Sequence, residues 1–185
     1  MDDKVLKEIE SFKMFNPAED SMEDLPDGPG NYIILLVPGS ILPIKFQGIE
    51  LENISQIEYK GIIYDVIYTG ISSKSLRERD YYQHFKGNNA GRSTLRKSLG
   101  SLMGLEKIPR DINNPGNGKT KFRDDDESKL SAWMCANLLL LYKPSLKAAE
   151  KEKVLINRLN PPLNILGNNN VENRKFRDML KKLRK

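Results

Sequence analysis

One cysteine, one histidine and one tryptophan in 185 residues are a thin supply of reactive side chains, and each scarcity excludes something. With Cys135 alone, no internal disulfide and no cysteine-built zinc cluster can form. With His84 alone, zinc sites assembled from several histidines are excluded as well. Long hydrophobic runs are missing: Ile33–Val37 and Leu138–Leu141 fall far short of the roughly 20 apolar residues a membrane-spanning helix needs. The start Met1-Asp2-Asp3 has neither a basic n-region nor a hydrophobic h-region, so no export signal is read. With one cysteine, cytoplasmic residence is the expectation. No internal repeat is apparent.

The net charge of +5 is modest, but it is unevenly spread. Residues 1–30 set Lys4, Lys7 and Lys13 against Asp2, Asp3, Glu8, Glu10, Glu19, Asp20, Glu23, Asp24 and Asp27. Between Lys74 and Arg123 the balance reverses, and only Glu78, Asp80, Glu106 and Asp111 oppose a long series of cations. Arg77, Lys86, Arg92, Arg96, Lys97, Lys119, Lys121 and Arg123 are the members expected to face a polyanion. Taken on charge alone, a solvated basic face accounts for the same residues.

Hydrophobic spacing predicts an amphipathic helix over residues 3–15, then strands at Tyr32–Val37, Pro43–Phe46, Ile54–Tyr59 and Ile63–Tyr68. Ser75 with Glu78 three residues on reads as a capping box opening a helix. Ser93 reads as the cap of another, with Leu95, Leu99, Leu102 and Met103 on one face and Arg92 and Arg96 left free. Asn113–Gly118 reads as a loop. Further helices are expected over Glu127–Tyr142, with Trp133 in the core, over Leu146–Leu159 and over Glu172–Lys185. The fold class is α+β, a small and mostly antiparallel sheet flanked by helices. Residues 1–24 form an acidic entry segment, 25–167 the main domain with an inserted hairpin or loop at about 38–61, and 168–185 a basic terminal helix.

Two tyrosine triplets sit at strand edges. Gly30-Asn31-Tyr32 opens the run to Val37, and Tyr68-Thr69-Gly70 closes the run Ile62–Ile67. A helix carrying Arg77, Arg79 and His84 follows, and much later Glu152 precedes the turn Pro161-Pro162-Leu163-Asn164. Either triplet alone occurs by chance in many chains, but the ordered set is far more specific. Over residues 25–165 it resembles the GIY-YIG nuclease family.

That resemblance implies a metal-dependent DNA endonuclease that hydrolyses phosphodiester bonds. It implies Tyr32 as the base for water, Tyr68 and Arg79 on the phosphate, Glu152 on one divalent metal, and His84 and Asn164 as supports. Glu150 is a neighbouring carboxylate off the pattern. One carboxylate holding a cation mostly through water suits Mg2+, with Mn2+ as a substitute. A tyrosine hydroxyl, with a pKa of about 10, is a poor base at neutral pH, and a guanidinium or metal-bound water beside it is expected to lower that value. Family members place the histidine four residues after the arginine, whereas His84 is five after Arg79. On an α-helix those two side chains are about 140° apart, while Arg77 and His84 share a face, so Arg77 is the alternative. A module on the same fold that binds without cutting, or a nuclease of RNA, stays open at this point. The acidic segment Glu19–Asp27 is expected to lie near the basic cleft and screen it.

Overall fold

Residues 8–48 and 50–185 are described by the computed structural model. The apolar run after Gly30 becomes strand β2 (Gly30–Leu36), buried along its whole length. It lies in the middle of a five-stranded sheet ordered β1-β7-β2-β4-β3, with β1 Lys13–Phe15, β3 Gln56–Tyr59, β4 Ile62–Ser72 and β7 Leu138–Pro144. Every pairing in it is antiparallel, and helices flank both faces, so the fold is α+β as expected. A separate ribbon pairs β5 (Lys107–Pro109) with β6 (Thr120–Phe122).

Alternation along the central strands divides the core in two. Tyr32, Ile34, Leu36, Tyr68, Leu138, Leu140 and Tyr142 pack on one face with Leu76 and Phe85 of the first helical segment. The same cluster takes in Leu95, Leu99 and Leu102 of α1 (Thr94–Leu102), Leu130 and Met134 of α2 (Asp124–Asn137), and Phe176 and Leu180 of α4 (Arg174–Leu183). Ile33, Leu35, Val66, Leu139 and Leu141 face the other way, against Ile9, Phe12 and Leu155 and Leu159 of α3 (Ala148–Leu159). The register shifts between Ile34 and Leu35, so Ile34 faces Tyr68 and Leu35 faces Val66. A bulge of this kind re-aims a strand. Here it lets Tyr68 join Tyr32 on one face although Val66, two residues earlier, points to the other.

Several expected elements differ. The helix expected over 3–15 lies partly outside the described residues; residues 8–10 are helical, and Lys13–Phe15 is instead strand β1 on the free edge of β7. Pro43–Phe46 is irregular, and the strand expected from Ile54 begins at Gln56. The helix expected to reach Tyr142 ends at Asn137, and Leu138–Pro144 is a strand between β1 and β2. A strand buried on both faces reads as a continuous apolar run, which periodicity cannot separate from a buried helix.

Candidate active site

The two motif glycines explain themselves by contact. Tyr32 faces Gly70 across the β2–β4 pair, and a Cβ on Gly70 would run into the Tyr32 hydroxyl and ring. A Cβ on Gly30 would meet the Lys143 carbonyl oxygen and Leu76 Cδ1. The tyrosine rings therefore lie close over the sheet, with centroids 6.2 Å apart. Thr69 Oγ1 donates to the Tyr32 carbonyl at 2.8 Å, and Asn31 Nδ2 donates to the Ala148 carbonyl at 2.7 Å, tying β2 to the start of α3.

Residues Arg77–Phe85 wind as a π-helix, with bonds such as Lys86 N–H to the Tyr81 carbonyl five residues back. The cap at its start is present in part, Ser75 Oγ accepting from Glu78 N–H at 3.1 Å. Winding with i→i+5 bonds takes up one extra residue per turn, and this resolves the spacing of Arg79 and His84. Residues five apart, separated on an α-helix, come to one side here. His84 is wholly buried, with Nε2 2.8 Å from the Tyr32 hydroxyl and Nδ1 2.7 Å from Ser93 Oγ. The Arg79 guanidinium also lies beside the Tyr32 hydroxyl, and Nη1 donates to Gln83 Oε1 at 2.9 Å and to the Arg92 carbonyl at 3.0 Å. Arg77 points away: its Nε donates to the carbonyls of Met22 and Leu25, each at 3.0 Å, and so pins the acidic entry segment to the π-helix.

Glu152 reaches the same place from α3. Its charge acts on Tyr68, and its half-buried carboxyl is pushed above the ordinary glutamate range by desolvation, with Arg79 pulling against the rise. Glu150 is exposed. After α3 the chain turns through Asn160 at φ 41°, in the left-handed region. Leu163 N–H then donates to the Ile67 carbonyl at 3.1 Å. Asn164 spends its whole carboxamide on one residue, Oδ1 accepting from Thr69 N–H at 2.9 Å and Nδ2 donating to the Thr69 carbonyl at 2.8 Å. Its hold on the site is thus through the backbone of the second motif.

Burial governs the protonation states. It pushes Tyr32 well above its usual value of 10.0, with Tyr68 and Asp80 adding to the rise and Arg79 pulling against it. The lowering expected from a neighbouring guanidinium is present but is outweighed by desolvation. Tyr68 is raised for the same reason, while its bond to Thr94 Oγ1 at 2.9 Å opposes the rise. His84 is held well below 6.5 by burial, then by Arg79 and Arg96, so its ring is neutral.

The basic face differs from expectation at one position. Arg96 is fully buried and paired to Glu127 through Nη2 and Oε2 at 2.6 Å, with Nη1 on the His84 carbonyl at 2.8 Å. It is an interior strut under the site and not a cation for a ligand, because its partner 31 residues away fills the space that its own helix leaves open. Lys86, Arg92 and Lys119 are exposed, Lys97 is half-buried, and Lys121 and Arg123 pair with Asp124 and Glu106 at the surface. The sequence marks Ser93 only as a helix cap, Asp80 only as a charge and Arg184 only as part of a basic terminal helix; the structure sets Asp80 and Ser93 beside His84 and brings the charge of Arg184 to bear on Tyr68. For Asp80 the signal was an acidic residue between Arg79 and His84 on an otherwise basic stretch.

Among the described residues no three His, Cys, Asp or Glu side chains gather into a metal cluster. Glu152 offers one carboxylate, its charge acting on the Tyr68 hydroxyl, and a single carboxylate suits a cation that keeps most of its own water, as Mg2+ does. Two tyrosines, a guanidinium and a carboxylate thus lie toward one end of the sheet. A family model, that of the GIY-YIG catalytic domain, matches residues 30–185. The chain belongs to that family, and its function is of nuclease type. No curated protein and no solved structure matches it.

Proposed function

We propose that this protein is a divalent-metal-dependent endonuclease that hydrolyses DNA. The observation that carries the reading is the convergence of Tyr32, Tyr68, Arg79, His84 and Glu152 from four separate elements onto one end of the sheet. Glu152 would hold the metal, and a cation there would offset charge on the phosphate and on the departing 3′ oxygen. Arg79 and Tyr68 bind and orient the phosphate. The Arg79 guanidinium lies beside the buried Tyr32 hydroxyl; a phosphate drawing on its N–H groups would open that hydroxyl to the attacking water. Because burial keeps Tyr32 protonated, it acts as a base by passing its own proton to the neutral His84 ring as it takes one from water. His84 thus works behind Tyr32 and does not itself touch phosphate. Asn164 and Asn31 fix the strand and helix that carry the second tyrosine and Glu152. Lys86, Arg92, Lys97 and Lys119, with Arg184, hold the polyanion backbone.

The test is incubation of plasmid DNA, branched DNA and single-stranded RNA with the protein in Mg2+, in Mn2+ and in a chelator. Cleavage of DNA that needs a divalent cation is expected. Preferential cleavage of RNA would overturn the substrate, and binding with no cleavage of any of the three would overturn the enzyme.

A further inference from the structure

Asp80 follows Arg79 on the π-helix and is wholly buried. Neither of its carboxyl oxygens meets a hydrogen-bond partner among the described residues. Oδ1 stands 3.8 Å from His84 Nε2, the nitrogen that also bonds the Tyr32 hydroxyl. A buried carboxyl without a partner works against folding, so this position carries a group that a small apolar residue would outdo for stability. It does so against the one histidine of the chain.

The roles given to Tyr32 and His84 create a need for such a group. When His84 takes the tyrosine proton its ring becomes an imidazolium inside the protein. Burial opposes that charge, as do Arg79 from the same helix and Arg96 from α1. Glu127 of α2 is committed to Arg96, Ser93 and Tyr32 are neutral hydroxyls, and the charge of Glu152 of α3 acts on Tyr68 and is drawn on by Arg79. Asp80 is the acidic side chain that faces the ring directly.

We propose that Asp80 is a positioning residue for the Tyr32–His84 pair, its carboxylate holding the positive charge that the imidazole acquires during phosphodiester cleavage. This rests on the nuclease reading above. In the step, an O–H bond of water breaks and a new one forms on Tyr32; the original Tyr32 O–H breaks and an Nε2–H bond forms on His84. The water oxygen bonds phosphorus as the bond from phosphorus to the 3′ oxygen breaks, and that oxygen leaves with the electron pair and takes a proton from solvent. His84 Nδ1 keeps its proton toward Ser93 Oγ throughout, Asp80 neither gains nor loses one, and the transferred proton later returns through Tyr32 to solvent. Only the carboxylate form of Asp80 serves. Burial drives this carboxyl well above its ordinary 3.8 while Arg79 draws it back, so the rate falls on the acid side at a pH where an exposed aspartate would still be ionised.

A single histidine makes the test direct, since its ring gives one Cε1–H resonance to follow by NMR. In the native protein that resonance is expected to move as Asp80 ionises, a result that needs no variant. In Asp80→Asn that movement is expected to vanish, because no carboxyl is left to ionise beside the ring. Single-turnover cleavage of a DNA duplex should slow about 10²-fold and lose its acid limb, with DNA affinity in the absence of metal unchanged. A native resonance blind to Asp80, or native and Asp80→Asn pH–rate profiles that superpose in a chain that cuts, overturns the Asp80 role alone. A native protein that cuts no nucleic acid overturns the nuclease reading, and the catalytic role of Asp80 with it, whatever the imidazole does.

Discussion

Two arginines two residues apart do different work, and substitution separates them. Arg77 donates to two carbonyls of the entry segment, so Arg77→Ala should lower unfolding free energy by about 1–3 kcal/mol while the folded protein cleaves at close to the native rate. Arg79→Ala should leave stability nearly unchanged and slow single-turnover cleavage by about 10²–10³-fold. Denaturant unfolding and rapid-quench kinetics on the two variants check this, and interchanged effects would refute it. Spacing alone had left the pair unresolved, because the choice depends on how the helix is wound. Asp80 makes a second residue-scale prediction. The folded chain keeps the Asp80 proton at pH values where the unfolded chain has lost it, so the linked stability is full below about pH 3.8 and is lost as pH rises through the folded value. His84 runs the other way: its linked stability is present above 6.5 and is lost as pH falls through its lowered value. The melting temperature of Asp80→Asn should therefore decline less than that of the native protein as pH rises from about 4 to about 9. Parallel curves would contradict a proton held by Asp80. The order and spacing of the two tyrosines and Glu152 are in the sequence, and the structure sets the two tyrosine rings side by side with the charge of Glu152 acting on Tyr68. The burial of Arg96 could not be read there, because Glu127 is distant in the chain and near only in the fold.

At the scale of elements, the π-helix is the feature that makes an off-pattern sequence compatible with its site. With Arg79 and His84 five apart, α-helical winding would turn one of them away from Tyr32, whereas i→i+5 bonding brings both to it. Deleting the half-exposed Tyr82 restores a spacing of four and should convert the segment to an α-helix with the constellation intact. The cleavage rate should then stay well inside the roughly 10²-fold loss that a misplacement of about 1 Å produces. Inserting an alanine after Tyr82 should cost at least that much. Equal, large losses in both proteins would show that the π winding matters for itself and not as compensation. Helix type was illegible beforehand, since capping and apolar spacing mark where a helix starts and not its pitch. The same limit hid β7, whose run of leucines fits a buried helix as well as a strand covered on both faces.

Across the whole molecule, the acidic and basic stretches of the sequence meet at the π-helix. The acidic entry segment packs on the π-helix through Arg77, while Lys86, Arg92 and Lys119 remain exposed. Removing a cation that contacts a backbone phosphate should reduce the dependence of log affinity on log salt by about 0.9. Titrations of Arg92→Ala and Lys119→Ala check this at several salt concentrations. Arg96→Ala should instead destabilise the protein by about 3–5 kcal/mol by leaving Glu127 buried and unpaired; a reduced salt slope with native stability would place Arg96 on the DNA after all. The order of motifs along the chain revealed the family and the α+β class, but not how Arg96, Glu127 and Ser93 support the histidine from below, since those contacts join distant segments. The central claim is that one site, with Tyr32 at its base and Glu152 on the metal, cuts DNA. Its most direct test is single-turnover cleavage of a DNA duplex in Mg2+ by the native protein, Tyr32→Phe and Glu152→Ala, each verified as folded. The native protein should cut, Tyr32→Phe should be slower by about 10²–10⁴-fold, and Glu152→Ala should be inactive while still binding DNA; a Glu152→Ala protein that cuts at the native rate would contradict the account.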